Sequence, residues 1–327
     1  MIPNVTRVSP TRLLVALVML AVLVILSAIA TGSSDTGLPD LIELLRGNGD
    51  AASQNILLQL RGPRALAAFG VGAMLAVAGV LMQVLLRNPL ADPYILGTSG
   101  GAAVAALSMM IIGAGPLLVD IAAFAGALGS TLLVFVIARS DGIWTPGRLL
   151  LTGVVVAAGW SAAISLILAT SPDANLRGIL FWLMGDFSFA GNPLPGLIVA
   201  TGATLICLGF ARSLNLLATG DEQAALLGLS VRPARIGVYF LSALLTSVAV
   251  TTAGTVGFIG LVIPHLIRLI GGADHRIVVP ASALAGGTLL VIADTLARTV
   301  VAPQQLPVGA ITAVVGVPLF LILLSRR

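Results

Sequence analysis

Ten apolar stretches, most near 20 residues long and almost free of charge, divide this chain from end to end: 13–31, 65–86, 94–113, 117–138, 149–170, 193–211, 236–256, 258–270, 278–297 and 306–324. A helix of about 20 residues crosses the hydrocarbon core of a bilayer. Only 9% of the 327 residues are charged and 58% are hydrophobic, whereas about a quarter of an ordinary soluble domain is charged. Leu, Ala, Val and Gly fill whole windows without alternation of period two, which favours helices over a β-barrel. The expected fold is all-α: a polytopic membrane protein of about ten transmembrane helices, a single domain over 1–327. The connections leave no room for a separate soluble catalytic domain. The eighth stretch is short and follows the seventh across Gly257, so its limits are the least defined.

The charges exclude several function classes. All 17 basic residues are arginine, so the chain offers neither a Schiff-base lysine nor a phosphate-binding Walker lysine. Cys207 is the one cysteine, and the two histidines have no Cys, Asp or Glu at metal-ligand spacing. The arginines are scattered singly between apolar runs, a pattern of membrane topology rather than of nucleic-acid binding. With Arg7 and Arg12 in the cytoplasm and ten crossings, Arg87, Arg139, Arg148, Arg212, Arg232, Arg235, Arg268, Arg276, Arg326 and Arg327 fall inside with them. Arg46, Arg61, Arg64, Arg177 and Arg298 fall outside. Twelve against five satisfies the positive-inside rule with both termini cytoplasmic. The first stretch reads as a retained helix, although Ala28-Ile29-Ala30 also mimics a signal-peptide cleavage site. Residues 35–60, with Asp35, Asp40, Glu43 and Asp50 between apolar residues, read as an outer loop with a short amphipathic helix.

Four polar clusters interrupt the apolar runs. Arg87-Asn88-Pro89-Leu90-Ala91-Asp92-Pro93 stops helix propagation, either as a plain loop or as a constriction at the cytoplasmic mouth. Residues 212–235 form the longest cytoplasmic connection. There Thr219 and Glu222 have capping-box spacing around a helix 221–227 that ends at Gly228. Such a helix either lies on its own bundle or meets a partner. Gly257-Phe258-Ile259-Gly260-Leu261-Val262-Ile263-Pro264-His265 suggests a tightly packed helix, broken near its proline, with His265 structural or, less simply, a haem or proton ligand. Leu176 to Met184 in the loop 172–191 reads as a short helix at the membrane boundary, an anchor or a ligand entrance. The GxxxG pair Gly97 and Gly101, with Ala122 and Gly126, signals close helix packing. Asp120 and Asp294 lie within spans but near their outer ends. An ion-gradient transporter normally carries charges near midplane. Their scarcity points to an energy source outside this chain, and keeps an ion-driven secondary transporter or channel as the alternative.

Taken in order, these clusters resemble the permease subunits of ABC importers for vitamin B12, haem and ferric siderophores. The resemblance rests on Arg61-Gly-Pro-Arg64, Ala78-Gly79 through Gln83, Arg87-Asn-Pro-Leu-Ala91, Leu96-Gly97 and Leu227-Gly228. It continues through Gly257 to His265 with Arg268, Asp274-His-Arg276, Ala293-Asp294, Arg298 and Leu306-Pro-Val-Gly309, covering roughly 55–325. Gly62 departs from the bulky apolar residue usual in that family. The resemblance implies the type II ABC importer permease architecture in a bacterial inner membrane, as a homodimer with one path at its two-fold axis. It implies two ATP-binding subunits, which carry ATP and Mg, and a periplasmic substrate-binding protein; no cofactor is implied in this chain. Thr219, Asp221, Glu222, Gln223, Leu227 and Gly228 would couple to the ATPase. Asn88, Leu90, Pro146 and Gly147 would line the cytoplasmic gate, and Arg61, Arg64 and Arg298 would dock the binding protein. Phe181-Trp-Leu-Met-Gly185 is somewhat more like the B12 permeases, while iron chelates are the commoner substrates of the family.

Overall fold

The structure, a computed structural model, describes residues 9–32, 36–139, 145–188 and 190–325. Arg7, Arg326 and Arg327, which enter the orientation argument, and Asp35 of the expected outer loop lie outside them. No strand occurs among the described residues. The helices are α1 (Pro10–Ala30), α2 (Leu38–Leu45), α3 (Ala51–Gln54), α4 (Gly62–Leu86), α5 (Thr98–Ile111), α6 (Pro116–Ala138), α7 (Pro146–Thr170) and α8 (Asp173–Met184), followed by α9 (Leu194–Gly209), α10 (Ala211–Thr219), α11 (Asp221–Leu226), α12 (Val231–Ala253), α13 (Ile259–Gly271), α14 (His275–Thr299) and α15 (Val308–Ser325). Six helical stretches are long and apolar enough to cross a bilayer, and α9 with α10 makes a seventh, bent by 66°. The shorter apolar helices α5, α13 and α15 bring the set to about ten, as the sequence implies.

α4 is the centre of the bundle. It is apolar on every side, which suits a helix surrounded by others, and every residue from Val71 to Leu85 is buried. Small residues let its neighbours approach. A Cβ on Gly72 would overlap the Gly286 carbonyl of α14, and one on Gly286 would overlap the Gly72 carbonyl. Gly101 and Gly126 join α5 to α6 in the same reciprocal way, so the small-residue spacing read from the sequence is a true packing seam. At the other extreme, α7 buries only Leu149 and Gly153 and leaves Leu151, Val154, Val155 and Leu166 exposed. Those faces need lipid or another chain.

Three expectations are corrected. The second span does not begin near residue 65, because one helical stretch of 36 residues runs from Ala51 to Leu86. Near its start, Asn55–Arg61 is π-helical. The register returns to α at Gly62, beside Pro63, where a backbone donor is missing in any case. Thr219 does not cap the helix after it. It is the last residue of α10, its hydroxyl donates to Leu216 O at 2.8 Å, and Gly220 takes the N-cap position at φ +118°. The sharp reversal between α10 and α11 requires that left-handed φ, which only glycine adopts cheaply. Finally, Pro264 lies inside α13 rather than breaking it; the break lies upstream, at Gly254 to Phe258.

Candidate functional site

The sequence-predicted residues gather at opposite ends of the bundle. At one end, α1 terminates with carbonyls that have no helical donor, and two arginines supply them. Arg298 donates to Ala28 O, and Arg61 donates to Ile29 O, Ala30 O and Thr36 O at 3.1, 3.3 and 2.9 Å. A cation at a helix C-terminus also complements the macrodipole. Arg64 forks onto Asp294, with nitrogen–oxygen distances of 2.8–3.1 Å, and the Arg298 Nε lies 3.8 Å from the same carboxylate. The three arginines therefore do converge, around Asp294 and the end of α1. Arg61 and Arg298 are only 6% and 7% exposed, so they bind inside the chain, while Arg64 reaches the rim.

From that rim a polar chain continues. Arg64 donates to Gln305 Oε1 at 3.2 Å, Ser188 Oγ donates to the same oxygen at 2.8 Å, and the Ser188 backbone N–H donates to Asp186 Oδ1 at 2.8 Å. Asp186 N–H in turn donates to Ala253 O. Beside this chain opens a cleft of about 1000 Å³, lined among others by Asp120, Arg177, Trp182, Asp186, Thr251 and Gln305. α8 forms one wall, with Arg177 5.8 Å above the Phe181 ring. The short helix expected within 172–191 is thus present as α8 and borders a cavity.

The opposite end carries α11. Asp221 pairs with Arg235 of α12 at 2.7 Å. At its C-terminus, Gly228 N–H donates to Ala225 O and Leu229 N–H to Ala224 O, a Schellman motif with Gly228 at φ +83°. The expected role of Gly228 as helix terminator holds, with Leu227 as the capping residue just beyond Leu226. Glu222 and Gln223 are exposed. Leu226 and Leu227 are 83% and 61% exposed, two bulky apolar side chains in a helix otherwise anchored to the bundle. Sequence reasoning missed Leu226 and Arg235. Periodicity could have found Leu226, because Ala224 is the buried position of this helix and Leu226 falls off that face.

The four residues expected at the gate lie on two separate elements. Asn88 accepts from Leu90 N–H at 3.0 Å and folds the turn after α4, where Arg87 adopts φ +49°. Pro146 and Gly147 open α7 behind the N-cap Thr145. No hydrogen bond joins the two pairs among the described residues; the Pro93–Leu96 turn bridges them, packing Ile95 O against Gly153 of α7. Burial pushes the Asp92 carboxyl in this connection up to about 6, against the Tyr94 N–H that bonds it at 2.8 Å. No cluster of three His, Cys, Asp or Glu able to hold a metal occurs among the described residues.

A profile of the FecCD transport family matches residues 19–326. The hemin transport system permease protein of Yersinia pestis is 43% identical over 320 residues, covering 93% of this chain and 94% of its own. The Fe(3+) dicitrate transport system permease protein of Escherichia coli is 40% identical, covering 83% and 85%. The vitamin B12 import system permease protein of Serratia proteamaculans is 41% identical, covering 85% and 84%. Among solved structures, an inward-facing ABC transporter assigned to the metal-chelate type superposes with a TM-score of 0.85 at 30% identity, covering 97% of this chain and all of its own.

Proposed function

This chain belongs to the FecCD transport family, and on that premise we propose that it is the membrane-spanning permease subunit of an ATP-driven importer for a large metal chelate: haem, a ferric siderophore or cobalamin. The observation that carries this reading is α11, a six-residue helix held by Arg235 and closed by Gly228 that leaves Leu226 and Leu227 largely exposed among the described residues. Apolar residues set out on a short anchored helix suit docking into a groove of a second protein. The partner is an ATPase subunit, which would carry ATP and Mg and perform the hydrolysis; two copies would serve a permease dimer.

A second copy of this chain would cover part of the exposed α7 and α15 surface, and lipid the remainder. At the arginine end, Arg64 would meet acidic residues of a periplasmic binding protein, with Arg61 and Arg298 fixing the ground beneath it. Movement would run from periplasm to cytoplasm across the inner membrane, past Asn88, Leu90, Pro146 and Gly147, with both termini cytoplasmic. Purifying the chain with candidate ATPase subunits tests the reading. An ATPase that co-purifies with the native chain and is lost on Leu226→Asp supports it; transport driven by an ion gradient without any ATPase would replace it with a secondary transporter.

A further inference from the structure

α11 is too short to hold a direction of its own, so its orientation comes from its neighbours. Its first residue, Asp221, is tied to α12 by the ion pair with Arg235. The tether of α10, which leads into it, is less obvious. Asn215, in the middle of α10, reaches the first residues of α14. Its Oδ1 accepts from the His275 backbone N–H at 3.0 Å and lies 2.6 Å from His275 Nδ1, and its Nδ2 donates to Asp274 Oδ1 at 2.9 Å. A carbonyl oxygen only accepts, so the imidazole carries its proton on Nδ1. His275 is 3% exposed, and the Asp274 oxygen also caps α14 by accepting from Arg276 N–H at 3.0 Å. One side-chain amide thus uses both its donor and its acceptor on consecutive residues of a single helix start. α14 then runs unbroken to the other end of the bundle, about 37 Å at 1.5 Å per residue. There its Asp294 and Arg298 hold Arg64 and α1.

We propose that Asn215 is a positioning residue that clasps the ATPase-docking segment to α14, so that events at the arginine end and at α11 act on one continuous helix. The proposal rests on the reading of α11 as the ATPase contact. The test uses the assembled complex of permease, ATPase and binding protein, and reads the ratio of ATP hydrolysis with saturating binding protein to hydrolysis without it. Asn215→Ala should keep assembly and basal hydrolysis while the ratio falls about fivefold or more. Exchanging both residues, Asn215→Asp with Asp274→Ser, keeps the polarity of the clasp: the new carboxylate accepts from both His275 donors and from the serine hydroxyl, whose oxygen still accepts from the Arg276 N–H. That double variant should regain the native ratio.

An unchanged ratio in Asn215→Ala overturns the proposal, and so does a loss that the exchange leaves in place. If Asn215→Ala fails to assemble, the exchanged pair decides alone: the native ratio supports the clasp and a lowered one contradicts it. Leu226→Asp is the separate control. Retention of the ATPase in that variant overturns the docking reading itself, whereas loss of the ATPase with an unchanged Asn215→Ala ratio overturns only the clasp.

Discussion

The side-chain amide of Gln83 donates to Gly260 O at 3.3 Å, the carbonyl that Pro264, four residues on, has no N–H to reach. It also reaches Leu261 O at 3.1 Å, while its own carbonyl oxygen accepts from Arg268. A proline is therefore tolerated inside α13 because a glutamine from α4 occupies the vacancy. Stranding a buried polar group costs about 1–3 kcal/mol. Gln83→Leu should destabilise the purified permease by that order, seen as a lower thermal midpoint, and the loss should shrink when Pro264→Ala restores an N–H to Gly260 O. Equal losses in the two backgrounds contradict the account, as a double-mutant cycle would show directly.

At the arginine end, Asp294 is 2% exposed and depends on Arg64. Arg64→Leu removes one partner of a buried pair, a change that typically costs about 3–5 kcal/mol. The double variant Arg64→Leu with Asp294→Leu should be the milder of the two, because no buried carboxylate is left wanting a partner. Chemical or thermal unfolding in detergent measures the order.

Arg61→Leu should act differently, through the end of α1. Hydrogen exchange should accelerate in the last turn of α1 and in residues 31–32, where the Arg61 guanidinium packs against Gly32. Arg64→Leu, which does not touch those carbonyls, should leave that exchange unaltered.

Proline placement distinguishes the start of α11 from its body. Glu222 is in the first turn, where proline is tolerated. Glu222→Pro should leave ATPase association near native. Ala225→Pro removes an interior N–H and should abolish association while the permease still inserts and dimerises. Co-purification of both variants with the ATPase checks the contrast.

The Asp274 carboxyl is held below the ordinary carboxylate range, first by the Asn215 amide and then by the Arg276 N–H. A depressed pKa means that the clasp contributes stability above the ordinary carboxylate pKa of about 3.9 and loses it as pH falls through the lowered value. Asp274→Asn should flatten the part of the stability–pH profile below about pH 4, as thermal unfolding across that range would show.

The spans were legible because about 20 apolar residues in succession have few other uses, and the glycine seams because their spacing is that of one helix face. What the sequence hid were relationships between distant positions. Nothing near Arg61 or Arg298 announces that the end of α1 lacks donors. Nothing in the sequence singles out Arg64, 230 residues away, as the partner of Asp294. Thr219 and Glu222 have the spacing of a capping box, yet a glycine at φ +118° took the cap, because the reversal between two helices outweighs one hydroxyl hydrogen bond. The extension of the second helical stretch to Ala51 was masked by the polar residues Asn55, Gln59 and Arg61, which interrupt the apolar run and which the helix carries in a π-helical segment.

Reconstitution tests the central claim most directly. The permease is placed in liposomes with its ATPase, the binding protein is added outside, and haemin, a ferric siderophore and cobalamin are offered in turn. Accumulation of one of these that requires both ATP and the binding protein, and that disappears with Leu226→Asp, is the predicted result. Accumulation driven by a proton or sodium gradient in liposomes holding this chain alone would contradict the account.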